Sequence, residues 1–420
     1  VMYFDVHGVM TNTTPVDAYR GAGRPEAIYL IERLVNRVAM ETGLDQDEVR
    51  RRNFIRPEQM PYKTSTGETY DSGEFGRLME RALEEADWQG FAARKAESAK
   101  AGLKRGRGLC YYIEATAGMP EESAAIRFDE DGTVSVFVGT QSNGQGHETA
   151  FTQLICDRLG IDAEKVKIVM GDTDAIPTGG GTGGSRSLVS TGTAIHAMSD
   201  AVIEKGKAAA ARHFETSAVD IEFGDGSFSV AGTDRRIDIL TLADEARKMA
   251  LAGEIEALDT RETAKFNPVT YPNGCHVCEV EVDPDTGVTR IDRWTVVDDF
   301  GNVVNPLFVE SQVHGGIAQG VGQAMLEHGY FDEDGQLLAG SFMDYAMPRA
   351  YDLPNFDFHR EEVPCKSNML GTKGCGEAGC LAGPPALINA IIDALSDLGV
   401  TQIDMPATPQ AVWRAIQAAK

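Results

Sequence analysis

The stretch GTQSNGQGHETAFTQLICDRL, residues 139–159, decides the fold. It joins an alternating apolar run, TVSVFV at 133–138, to an amphipathic helix predicted over 148–159, through a loop with glycine at 139, 144 and 146. In a strand, glycine-rich loop and helix arranged this way, unpaired backbone N–H groups and the positive end of the helix dipole face an anion. Three other loops repeat the arrangement. AYRGAGR (18–24) precedes a helix over 25–41, with Ile28, Ile31, Leu34, Val35 and Val38 at helical spacing. GGGTGGSRS (179–187) precedes an Ala-rich helix over 191–213, and GTKGCGEAG (371–379) precedes a helix expected to open at Pro384-Pro385 and run over 386–395. Around them, strands are predicted at 108–116, 166–170, 275–282 and 288–298, helices at 46–52 and 309–327, and a hairpin region at 220–238. Residues 56–78 read as a surface loop. Residues 83–104 read as one charged helix closed by Gly106 and Gly108, with a domain boundary there. The class is α+β and not a regular βαβ series.

Composition narrows the function. The 420 residues suffice for two or three domains of roughly 150 residues. The 64 acidic and 39 basic residues give a net charge of −25, which repels nucleic acid and anionic membranes. No run of about 18 apolar residues occurs, so no membrane span is expected. Seven scattered cysteines make no disulfide framework and fit a reduced, cytoplasmic setting. The opening VMYFD (1–5) lacks the regions of a signal peptide and reads as a strand, as if the chain began partway through a larger fold.

Any one glycine loop before a helix is as readily a tight turn. Four together, carrying Arg, Gln, His or Lys donors, point to a large anionic cofactor with several phosphate or oxo groups. Nucleotide motifs fail: residues 139–144 have P-loop glycine spacing, but Gln145-Gly146 replaces the Lys-Ser/Thr pair. Glu377, confined among glycines beside Lys373, is a candidate general base or a helix N-terminal acid complementing the dipole. Arg20 is a candidate stabiliser of negative charge on a substrate oxygen, or a surface ion pair. His147 either donates to a phosphate or caps its loop, and His314 reads as a core histidine. Cys275-His276-Val277-Cys278 lies in an alternating strand without a second ligand pair, which disfavours zinc. Cys375 and Cys380 read as small space-fillers flanking Glu377.

Seven segments in register are similar to the molybdenum-binding large subunit of the xanthine dehydrogenase and aldehyde oxidase family. They are AYRGAGRPEA (18–27), DEVRRRNFI (47–55), GQGHET (144–149), GTGGSRS (181–187), DDFGNVVNP (298–306), VHGGIAQG (313–320) and GCGEAG (374–379). The chain most resembles the carbon monoxide dehydrogenase large-chain branch. The resemblance implies two molybdopterin-cofactor-binding domains: the tail of the first over 1–104, and the second over 105–420. It implies a molybdopterin cytosine dinucleotide carrying Mo, with Gln141, Gly144, Gln145, Gly146 and His147 at the cofactor. Thr182, Gly184, Ser185, Arg186 and Ser187 join them from the third loop, and Lys373, Gly374 and Gly376 from the fourth. Glu377 falls on the family's catalytic base and Arg20 on its active-site arginine.

Electrons would pass to a 2Fe-2S small subunit and an FAD-binding medium subunit, in a dimer of heterotrimers. The implied reaction oxidises an aldehyde, N-heteroaromatic or similar small substrate with water as oxygen donor. Gly21 stands where CO-oxidising members carry a copper-binding cysteine, so no copper is expected and CO oxidation becomes the alternative reading. A non-catalytic cofactor or partner scaffold is the third. The front half of a family subunit is missing, as in a fragment or a naturally split subunit.

Overall fold

A computed structural model of the chain describes every residue except 1, 2, 4, 12, 13, 268 and 420, so the strand expected over 1–5 lies mainly outside the described residues. In chain order the elements begin with α1 (Arg24–Thr42), α2 (Gln46–Asn53), a hairpin of β1 (Tyr62–Lys63) and β2 (Thr69–Tyr70), α3 (Phe75–Glu85) and α4 (Phe91–Lys100). There follow β3 (Lys104–Ile113), β4 (Glu121–Phe128), β5 (Val134–Val138), α5 (His147–Leu159), β6 (Val166–Val169) and α6 (Ser187–Phe214). Next come β7 (Ile221–Gly224), β8 (Ser227–Val230), β9 (Arg236–Asp238), α7 (Ile239–Leu251), β10 (Thr260–Lys265), β11 (Asn273–Val282) and β12 (Thr289–Asp299). The chain closes with α8 (Pro306–Val321), β13 (Phe356–Glu361), α9 (Ala378–Ala394) and α10 (Pro409–Ala419).

Two four-stranded sheets organise the molecule, as the α+β class requires. The sheet ordered β13-β12-β11-β3 is covered on both faces. One face packs Cys110, Tyr112, Val280 and Trp294 against Val313 and Ile317 of α8 and Leu381 and Leu387 of α9. The other sets Leu109, Cys275, Val277 and Val297 against Leu78 and Met79 of α3 and Trp88. The sheet ordered β10-β4-β5-β6 packs Ile126, Val134 and Val136 on Phe151 of α5 and Ile195 and Met198 of α6. A small sheet, β7-β8-β9, docks on α6 through Phe228. Among the described residues no helix is long and apolar enough to cross a membrane.

Close backbone packing explains where the sequence reading went wrong. Gly106 and Gly108 end no helix; they lie in β3, where a Cβ on Gly108 would sit 2.0 Å from the Ala386 carbonyl oxygen of α9. The helix expected over 83–104 is two, α3 and α4, broken at Asp87 with φ +49°. The loop read over 56–78 holds the β1–β2 hairpin and the start of α3. Pro384 and Pro385 lie inside α9, which starts at Ala378. A proline there leaves backbone acceptors unpaired, but the Pro384 ring seats against Gly320 of α8, so tertiary packing overrides helix propensity. On α1, Ile28 is buried while Leu30, Ile31 and Leu34 stay exposed.

Gly108→Ala should push a methyl into the Ala386 carbonyl and destabilise the chain by about 1–3 kcal/mol, read as a fall in Tm. Gly76→Ala on α3, where nothing lies within 4 Å, should leave Tm unchanged or raise it. Equal Tm values for the two variants would contradict the packing described.

Candidate active site

The four glycine-rich loops converge on one cleft of about 760 Å³. Each arrives at a helix N-terminus: α1 after Gly23, α5 after Gly146, α6 after Arg186 and α9 after Glu377. Gly23 and Gly146 hold φ of +91° and +77°, a left-handed turn that swings the chain into its helix and suits glycine. Loops three and four interlock, since a Cβ on Gly374 would lie 1.9 Å from the Ser185 carbonyl oxygen. A chain of hydroxyls ties loops two and three: Thr140 Oγ1 donates to Ser187 Oγ at 3.1 Å, and Ser187 and Thr182 pair at 2.6 Å. Gln145 Nε2 reaches Thr182 Oγ1 at 3.4 Å.

The expected cofactor residues fall into two groups. Gly144, Gln145, His147, Thr182, Gly184, Ser185, Arg186, Ser187, Lys373, Gly374 and Gly376 line the cleft with Arg20 and Glu377. Gln141 and Gly146 do not; Gln141 is exposed, and Gly146 backs onto the Phe308 ring. His147 keeps Nδ1 buried without a partner, and burial lowers its pKa, so its ring is neutral. Lys373 points its ammonium at Asp299 Oδ2 at 2.5 Å, both side chains fully buried, and so pins the fourth loop to the end of β12.

Glu377 is the N-cap residue of α9, and its carboxylate gathers donors from two other loops. Gly21 N–H donates to Oε1 at 2.9 Å, while Ser185 Oγ at 2.6 Å and Arg24 Nη1 at 3.0 Å donate to Oε2. Burial works to raise its pKa. Glu114, the Ser185 hydroxyl, Arg24 and the Gly21 N–H outweigh burial and bring it below the usual glutamate range. A confined carboxylate that stays ionised and borders a cleft can take a proton.

Arg20 is not free to move. Its Nε donates to the Gly376 carbonyl at 2.5 Å, Nη1 to Gln319 Oε1 at 3.0 Å, and Nη2 to the Gln312 carbonyl and Oε1 at 2.8 and 2.9 Å. It clamps the first and fourth loops to α8. Sequence reasoning missed Arg24 and Glu114. Arg24 opens α1 four residues after Arg20, beyond a turn with positive φ at Gly21, Ala22 and Gly23, and in the sequence it reads as part of the helix start. Glu114, fully buried just beyond β3, falls inside the strand expected over 108–116 and carries no motif of its own.

The thiols are packing groups. Cys275 and Cys278 face opposite sides of their sheet, in different cores, so the CxxC spacing makes no clip. Among the described residues no group of three or more His, Cys, Asp or Glu could hold a metal ion. Burial pushes the Cys375 and Cys380 thiols up to about 12 and about 11, which keeps them neutral. Gly21 adopts φ +101°, and a Cβ there would lie 2.6 Å from the Pro25 ring. His314 packs against Phe356, away from the cleft.

Two models of the molybdopterin cofactor-binding domain match the chain, one over residues 81–354 and one over residues 1–54. The chain is 34% identical to the carbon monoxide dehydrogenase large chain of Hydrogenophaga pseudoflava, over 98% of this chain and 53% of that protein. It is 33% identical to the nicotine 6-hydroxylase large subunit of Paenarthrobacter nicotinovorans, over 97% of this chain and 52% of that one. The crystal structure of quinoline 2-oxidoreductase from Pseudomonas putida 86 superimposes with a TM-score of 0.89 at 33% identity, over 96% of this chain and 53% of that chain. The chain thus spans about half the length of the curated relatives it matches. With a family model covering more than half of it and the glycine-rich loops gathered on one cleft, this chain belongs to the molybdopterin cofactor-binding family.

Proposed function

We propose that this chain is the cofactor-binding portion of a molybdenum hydroxylase large subunit, oxidising a small aldehyde or N-heteroaromatic substrate with water as oxygen donor. Residues 1–104 would complete a first cofactor-binding domain and 105–420 form the second. The exposed Leu30, Ile31 and Leu34 of α1 suit an interface with the rest of that subunit. The observation that carries the reading is Glu377, an ionised carboxylate held at the meeting point of the loops.

The cleft suits a molybdopterin dinucleotide. It offers the N-termini of α5 and α6, the Thr182 and Ser187 hydroxyls, the Gln145 amide, and His147 with its unpartnered Nδ1. Those groups and Arg186 would hold the pterin and phosphates; the cytosine form is the one proposed. When bound, the cofactor supplies the redox centre at which the substrate carbon is oxidised. Glu377 takes the proton of the attacking water at its carboxylate, and Arg24 and Ser185 hold that carboxylate in place. Arg20 keeps the Gly376 carbonyl and α8 fixed, so the base does not drift. Electrons would leave to 2Fe-2S and FAD partner subunits in a cytoplasmic dimer of heterotrimers. Gly21, which carries no thiol and has no room for a Cβ, favours this reading over CO oxidation at a copper-containing centre.

Glu377→Gln should lower turnover by about 10²–10⁴-fold with Mo content unchanged, measured on the complex with its partner subunits. Loss of Mo with the substitution would make the residue structural and contradict its role. Arg24 lowers the pKa of Glu377, and a base works only when deprotonated. Arg24→Ala should therefore move the acid limb of the kcat/KM profile to higher pH, and an unshifted limb would remove Arg24 from the site.

A further inference from the structure

Behind Glu377 lies a second carboxyl that the mechanism above leaves unused. Glu114 follows the last residue of β3, its backbone N–H donating to the Pro272 carbonyl at 2.9 Å. Its side chain is fully buried, and neither carboxyl oxygen has a hydrogen-bond partner. The Arg24 guanidinium is the nearest cation, 3.7 Å from Glu114 Oε1 and 3.0 Å from Glu377 Oε2. One guanidinium therefore serves two carboxyls. The other groups facing Glu114 are Ser185 from the third loop, Cys375 from the fourth and Tyr112 from β3. The Tyr112 hydroxyl already donates to Asp298 at 3.1 Å, and the Cys375 thiol is neutral.

An ionised carboxylate buried beside another carboxylate with half a counter-ion is not a stable burial. A protonated one is, and it carries an O–H that can be directed at the neighbouring carboxylate. We propose that Glu114 is a positioning residue that stays protonated and holds Glu377 as the single carboxylate of a coupled pair. This rests on the reading of Glu377 as the base. Consistent with it, burial first and then the adjacent Glu377 carboxylate push the Glu114 pKa well above the glutamate range, while that of Glu377 falls. In the resting state the pair holds one proton and one negative charge. When Glu377 gains a proton at its carboxylate oxygen, the pair holds two protons and no charge, and the cleft is the route by which the second leaves.

The first test is infrared spectroscopy of the protein at pH 7 in D₂O. The wild-type minus Glu114→Gln difference spectrum should show a protonated-carboxyl band. A difference spectrum without that band overturns the proposal. The second reads linkage: a raised folded-state pKa gives stability that is complete below the ordinary glutamate value of 4.5 and lost as pH rises. The wild type should lose Tm relative to Glu114→Gln as pH is raised from 4.5, and parallel curves would contradict this.

The third is the kcat/KM profile of the complex with its partners. Glu114→Gln keeps an N–H donor and should keep the acid limb. Glu114→Leu should raise that limb by about one pH unit, a tenfold loss on the acid side, whereas a purely structural role would leave the limb in place. Turnover at the wild-type rate in Glu377→Gln would defeat the base reading while the infrared result still decided the proton on Glu114.

Discussion

Everything at the cleft depends on the burial of α9. Of its residues only Asp393 escapes full enclosure, and the helix is held by backbone-to-backbone contact with β3 on one side and α8 on the other. At its packing glycines, neither neighbour leaves space for a Cβ: Gly108 abuts the Ala386 carbonyl, and a Cβ on Gly379 would lie 2.2 Å from that of Val313. A helix so confined cannot slide, so its N-cap residue, Glu377, has a fixed address. Arg20 and Lys373 extend that rigidity into the loop before it, one through α8 and the other through β12.

A chain of net charge −25 that gathers a polyanion needs local positive potential without an excess of basic side chains. Helix N-termini supply it. Of the basic side chains at the cleft, Lys373 is neutralised by Asp299, Arg20 is engaged by carbonyl and amide oxygens, and Arg24 faces two carboxyls. Backbone N–H groups, hydroxyls and the N–H groups of Arg186 beyond the Nη2 that holds the Gly180 carbonyl are left for an anionic ligand, which is the role the glycines prepare. The same scarcity of cations makes the protonation of Glu114 consequential.

The loops were legible in the sequence because their signal is local: glycine next to a helix start is visible in a ten-residue window. The class and the cleft's glycine-rich wall followed from that. What escaped was non-local. Gly106 and Gly108 look like a helix stop until α9, some 280 residues later, is laid against them. Pro384-Pro385 reads as a helix beginning, and only the seat against Gly320 lets it stand in the interior. Strands β4, β10 and β13 were missed where charged residues interrupt the apolar run, as in TRETAK. Arg24 and Glu114 meet Glu377 across more than 260 residues of chain, and no spacing in the sequence marks that meeting.

Elemental analysis of the complex purified with its native partners, with the released nucleotide identified by mass spectrometry, tests the central claim most directly. The account predicts near-stoichiometric Mo with CMP and no copper. Absence of both Mo and pterin from an intact complex would contradict it, and copper beside Mo would show that Gly21 does not exclude a copper-containing centre.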